Sequence, residues 1–153
     1  MDRLEIVREN VDKILNNMTN LKKKRNGFIH LYGVCTFCTI LARKRNLNVE
    51  LASICGMLHD IHKYLTLNSE EHAALGSIDA RKILNELKCF NNEEIDLICT
   101  AIYHHSDKNA FHGPYEELLK DADVLQHYLY NTSDYIQSNE TTRLYALLKE
   151  LKI

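Results

Sequence analysis

Cys55-Gly56-Met57-Leu58-His59-Asp60-Ile61-His62-Lys63 is the stretch around which the chain is organised. A histidine and an aspartate sit side by side at the end of an apolar helical run, with a lysine three residues on. Adjacent helical positions point about 100° apart, so the pair shares an ion only over the edge between them. Imidazole nitrogen with carboxylate oxygen suits a divalent cation of intermediate hardness. A lone His-Asp dipeptide arises by chance in many chains, so its meaning depends on ligands elsewhere.

Upstream, Asn48 has the side chain of a helix N-cap, and Leu51, Ala52, Cys55, Leu58 and His59 then face inward, with Asp60 at the end. Before that helix another is expected from Phe28 to about Arg45, with the stripe His30, Val34, Phe37, Leu41 at steps of four, three and four. His30 thus starts an apolar stripe. The first helix carries Leu4, Val7, Val11, Ile14 and Met18 on one face. Lys22-Lys23-Lys24-Arg25 followed by Asn26-Gly27 reads as that helix's C-terminus, favoured by the dipole and closed by a turn. The functional alternative is a cationic lip for a phosphate.

Downstream, Leu65 to Asn68 is expected as a loop and Ser69 as the next cap, with Glu70 and Glu71 in the first turn. His72, Gly76, Ala80, Ile83 and Leu87 form the following stripe, aiming His72 inward. Asn92, Glu93 and Glu94 open a helix with Ile95, Ile98, Ala101, Ile102 and His105 on one face and His104 at its edge. After a polar loop from Ser106 to Gly113, Pro114 suits the first position of a further helix. That helix packs through Leu118, Ala122, Leu125 and Leu129. Asp121 and Asp123 flank this stripe at similar angles, so periodicity does not choose between them. Asn131 to Thr142 reads as irregular, and a last helix uses Leu144, Leu147, Leu148 and Leu151.

The bulk properties agree with an all-α fold of six to seven helices. One proline and five glycines leave little punctuation for hairpins. At 153 residues the chain suits one domain, spanning residues 1–153 with a core at 28–130 and a helix packed on it from each end. A net charge of −2 argues against stable nucleic-acid binding. No apolar run approaches a membrane span, and Met1-Asp2-Arg3-Leu4-Glu5 is unlike a signal peptide. Five cysteines, odd in number and lying in apolar runs, suit a reduced cytoplasmic setting. Cys35 and Cys38 lie within a helical pattern with no second cysteine pair, and are expected as core residues rather than zinc ligands.

His30, His59, Asp60, His72, His105 and one of Asp121 or Asp123 all fall on or beside apolar faces near helix ends. Burying so many ionisable groups unpartnered costs several kcal/mol; a shared cation neutralises the carboxylates and satisfies the imidazoles.

The order His30, His59-Asp60, then an aspartate in Lys120-Asp121-Ala122-Asp123-Val124-Leu125 resembles the HD superfamily of metal-dependent phosphohydrolases, over about residues 28 to 130. His59-Asp60-Ile61-His62-Lys63 is similar to that family's His-Asp-Ile-Gly-Lys. Ala101-Ile102-Tyr103-His104-His105-Ser106 is similar to its later Ile-x-x-His segment. The resemblance maps the last ligand onto Asp123 of Ala-Asp-x-Leu, with Asp121 as the nearby alternative, and leaves His62 in place of the usual glycine, read as a turn residue in preference to one that reaches the substrate.

It implies hydrolysis of a phosphomonoester or phosphodiester, often in a nucleotide, by metal-activated water, so the expected partner is a small phosphorylated substrate. Mn, Fe, Co, Ni, Zn and Mg are not distinguished. His30, His59, Asp60 and Asp123 would hold one ion; His72 with His104 or His105 would serve a second, bridged by Asp60. Asp60 would orient the water, Lys63 (with Lys24-Arg25) would neutralise phosphate charge, and His105 or His104 would protonate the leaving group. The family also includes di-iron oxygenases with added histidines, and a non-catalytic nucleotide sensor is the third class.

Overall fold

A computed structural model of the protein describes residues 2–153, which form eight helices and no strand. They are α1 (Arg3–Asn16), α2 (Leu21–Arg45), α3 (Val49–Leu58), α4 (Ile61–Thr66), α5 (His72–Leu87), α6 (Asn92–His104), α7 (Pro114–Tyr130) and α8 (Ser138–Leu151). None is long and apolar enough to cross a membrane. The all-α expectation holds, with the short α4 as the additional element.

Helix starts follow cap chemistry where a cap exists. Asn48 accepts from the Leu51 amide at the head of α3. Asn91 and Glu94 form a reciprocal capping box on α6, one residue before the expected opening at Asn92. Pro114 occupies the first turn of α7 after Gly113.

Several boundaries differ from expectation. Helix α2 begins seven residues before Phe28, because the Asn20 side chain caps it by accepting from the Lys23 amide. The run Lys22 to Arg25 therefore opens α2 rather than closing α1, and lies where the dipole disfavours cations. Lys24 reaches back to the Asn16 carbonyl, which α1 leaves free. Gly27 is no turn residue: it is buried mid-helix, where a Cβ would stand 2.6 Å from Leu15 Cδ2. Ser69 does not cap α5. Glu71, at φ 48°, takes the position before its first residue, and the Ser69 carbonyl accepts from His72 Nδ1 instead. Helix α8 starts at Ser138, inside the segment expected to be irregular, because its first turn is polar throughout. His62 belongs to α4 rather than a turn, and its Nδ1 lies 2.7 Å from Asp79 Oδ2.

One hydrophobic cluster runs from Val7 on α1 to Leu147 on α8. At its centre α3 is buried from Leu51 through Leu58 and packs closely on α2. Their contact depends on Gly56, since a Cβ there would lie 2.7 Å from Cys35 Cα. Cys35, Cys38 and Cys55 are buried free thiols in this layer, and burial pushes all three thiols up.

Candidate metal centre

His59 and Asp60 do not share a helix. His59 closes α3, and Asp60, at φ −108° and ψ 14°, is the bend before α4. The bend turns both side chains toward the middle of α2, where His30 waits, and toward α7, which supplies Asp123. His72 arrives at the first residue of α5 and His105 just past the end of α6. Five helices thus meet at one point.

Each imidazole is oriented by a hydrogen bond at Nδ1. His59 Nδ1 donates to the Gly56 carbonyl (2.8 Å), His72 Nδ1 to the Ser69 carbonyl (2.9 Å) and His105 Nδ1 to the Ile102 carbonyl (2.6 Å). In all three the acceptor lies three residues earlier: Gly56 and Ile102 are in the last turns of α3 and α6, where carbonyls lack helical partners, and Ser69 is in the loop before α5. His30 Nδ1 donates to Gln126 Oε1 across the α2–α7 interface, at 2.7 Å. With Nδ1 protonated, the neutral rings of His59 and His72 present an Nε2 lone pair inward, whereas His30, when charged, carries its second proton on the Nε2 that faces Asp60.

The inward nitrogens face one another and the carboxylates. His30 Nε2 lies 3.0 Å from His59 Nε2 and 3.2 Å from Asp60 Oδ2. Asp60 Oδ1 looks the other way, 3.3 Å from His105 Nε2 and 3.5 Å from His72 Nε2. Asp123 Oδ1 is 3.5 Å from His30 Nε2 and 3.7 Å from His59 Nε2. Asp60 Oδ1 and Asp123 Oδ1 are buried with no hydrogen-bond partner. A convergence of unpartnered acceptors is stable only around positive charge. The ligand atoms fall into three groups, each within 4.8 Å: His30-His59-Asp60, Asp60-His72-His105 and His30-Asp123-His127. Nitrogen and carboxylate oxygen in this number fit a divalent metal ion, so the residues present suit the group.

A family model described as HD domain matches residues 27–128. This chain belongs to the HD-domain family. The HD fold extends beyond the matched segment: the crystal structure of a predicted HD superfamily hydrolase from an uncultured Thermotogales bacterium superposes with a TM-score of 0.63. At 17% identity, that match covers 94% of this chain and 88% of the other. No curated protein matches the chain.

Within this HD domain, two of the candidate ligands read from the sequence lie outside the ligand groups. Asp121 faces away from the centre and is held by Arg45 and Arg143, each at 2.7 Å. His104 stacks on His112, with ring centroids 3.9 Å apart. Lys63 Nζ sits 2.7 Å from Asp60 Oδ2 at the edge of a cleft of about 290 Å³. Asn26, Ile29, His30, Tyr64, His127 and Tyr130 complete much of its wall; Lys24 and Arg25 do not line it.

Three residues escaped the sequence reading. Gln126 fixes the His30 ring, as described. His127 stacks on His30, with centroids 5.2 Å apart, and brings Nε2 to 3.5 Å from Asp123 Oδ1. The Asp-x-x-x-His spacing puts both on one face of α7 and was the available signal. Lys108, in the loop between α6 and α7, buries its ammonium 2.6 Å from Asp123 Oδ2. No local pattern marks it.

The electrostatics match this geometry. Burial opposes ionisation of Asp60, yet His59, His105, His30 and Lys63 together hold its carboxyl well below the usual range. Burial likewise opposes Asp123, and Lys108 is the strongest of the charges that keep it ionised. Burial pushes His59 down to about 3, so its ring stays neutral at ordinary pH. His72 is also lowered, by burial and by Lys63. His30 is raised: burial works against its charge, but the hydrogen bond to Asp60 and the nearby carboxylates outweigh it.

Proposed function

We infer that this HD domain is a metal-dependent phosphohydrolase, cleaving a phosphomonoester or phosphodiester of a nucleotide or similar small molecule. The observation that carries the reading is the set of inward imidazole lone pairs and orphaned carboxylate oxygens lying beside a cleft with a lysine on its wall. The family match and the neighbouring predicted hydrolase support the same direction.

His30, His59, Asp60 and Asp123 are the residues that would hold the ion. A divalent ion there supplies a water acidic enough to be deprotonated near neutral pH and draws charge from a phosphoryl oxygen. Lys63 lies on the cleft wall with a side chain 31% exposed, free to move from Asp60 to a phosphate oxygen and offset the charge growing there. Asp60 orients the attacking water through a carboxylate oxygen. His105, with its side chain 2% exposed and Nδ1 committed to Ile102, is a ligand in this reading and not the proton donor. His127, on the cleft wall and 52% exposed, donates to the leaving group.

The two faces of Asp60 favour room for two ions, one beside His30 and His59, the other beside His72 and His105. That leaves a di-iron oxygenase as the second reading. Metal analysis of the purified protein, followed by phosphate release from a panel of nucleotides and sugar phosphates, separates the possibilities. Turnover that a chelator abolishes and Mn²⁺ or Co²⁺ restores is the expected result. Oxygen uptake by an iron-loaded sample with no phosphate release would establish the oxygenase. Nucleotide binding without either would establish a sensor.

A further inference from the structure

Each carboxylate of the centre is touched by one lysine, and the two lysines differ in kind. Lys63, on Asp60, is partly exposed on the cleft wall. Lys108, on Asp123, has a side chain only 5% exposed and a second hydrogen bond, to the His105 carbonyl at 2.8 Å. It cannot leave Asp123 for a substrate without abandoning both partners in a buried site.

The loop that carries Lys108 is itself tied down. Asp107 Oδ1 accepts from the Asn109 and Ala110 amides. The Lys120 ammonium, wholly buried, donates to the Ala110 carbonyl, and Arg143 on α8 reaches the Lys108 carbonyl. The ammonium is therefore placed before any ion arrives.

We propose that Lys108 is a positioning residue of the metal centre, which occupies Asp123 Oδ2 so that only Oδ1 is presented to the ion, and which couples Asp123 to the segment bearing His105. This rests on the metal centre inferred above. Three observations support it. Oδ2 is the oxygen on Lys108, whereas Oδ1 is buried, unpartnered and aimed at His30, His59 and His127. The same ammonium binds a carbonyl at the end of α6, so one charge joins ligands from two helices. Without it, Asp123 would stand buried with Oδ2 unpartnered as well as Oδ1, a carboxylate free to rotate.

The test is Co²⁺ binding to chelator-treated protein, by calorimetry and by the visible spectrum of the bound ion, for wild type, Lys108→Met, Asp123→Asn and the double variant. Lys108→Met is expected to weaken Co²⁺ binding about 10- to 100-fold, the usual scale for losing a residue that orients a ligand, and to alter the spectrum. In the Asp123→Asn background the same change should add less than about threefold, because the partner through which it acts is gone. Lys108→Arg, which keeps charge and donors, should recover most of the affinity. Helical circular dichroism of each metal-free variant checks folding, and Lys108→Gln, which keeps one donor, takes the place of Lys108→Met should that variant not fold. Wild-type affinity and spectrum in Lys108→Met, or a loss that is undiminished in the Asp123→Asn background, would overturn the proposal. Absence of Co²⁺ binding by the wild type would instead overturn the metal centre.

Discussion

His59 and Asp60 occupy the bend where α3 ends, and their replacement tests the centre directly. His59→Ala removes a side chain faced by His30, Asp60 and Asp123, and Asp60→Ala one faced by His30, His59, His72 and His105. Each variant should lose bound metal and turnover while keeping its helical circular dichroism, because the helices are held by the apolar cluster and not by these groups. Metal content equal to wild type in both would reject the site as described. The two aspartates of α7 separate just as clearly. Asp123→Asn should abolish metal-dependent turnover. Asp121→Asn should leave metal content intact and cost about 2 kcal/mol in denaturant unfolding, the scale of weakened hydrogen bonds to charged groups, since Asp121 serves Arg45 and Arg143. The opposite ranking would move the ligand to Asp121.

Helices α2 and α3 form the platform on which the centre stands, and glycine sets their separation. A methyl at position 56 would press on the Cys35 backbone at 2.7 and 2.8 Å, where no flexible side chain can yield. Gly56→Ala should therefore push α3 off α2 and destabilise the protein by about 3 kcal/mol, the upper end of ordinary overpacking. Because the Gly56 carbonyl also accepts from His59 Nδ1, metal affinity should fall with it. A thermal melt and metal titration unchanged from wild type would show that the two helices separate without penalty. His59 and His105 each use a carbonyl three residues back in the last turn of a helix, and His72 uses the equivalent carbonyl in the loop before α5. Such a bond lets a histidine take its tautomer from its own chain.

Across the whole molecule, the buried neutral imidazoles impose a pH dependence on the metal-free protein. His59 is lowered to about 3 in the folded state, against about 6.5 in an unfolded chain. Between those values the unfolded state binds the proton and the folded state does not, so stability falls as pH falls. His72, also lowered, acts in the same direction. His30 is raised, so its contribution is complete below about 6.5 and adds no slope there. Asp60 and Asp123, held low, lose their contributions at still lower pH. Chelator-treated protein should show a melting temperature that declines steadily from about pH 6.5 downward. A flat profile down to pH 4 would contradict the buried neutral state of His59.

Much of this was legible in the chain alone. Helical periodicity and the scarcity of glycine and proline determined an all-α fold, because amphipathic spacing is a local property. The convergence of His30, His59, Asp60, His72 and His105 was legible for the same reason, since they are ionisable groups at inward positions. Boundaries were less legible: α2 starts at an Asn20 cap followed by a basic run that reads as a helix end, and α5 and α8 start with no side-chain cap at all. Asp121 and Asp123 could not be separated by angle along α7; only the neighbours of that helix distinguish a face turned to Arg45 and Arg143 from one turned to His30 and His59. Gln126 on His30 and Lys108 on Asp123 were invisible for a related reason. Those contacts span 96 and 15 residues of chain, and no spacing rule reaches across a helix interface or out of an irregular loop. Local sequence determined which ionisable groups point inward; the packing of α2, α6 and α7 decided which of their oxygens and nitrogens converge.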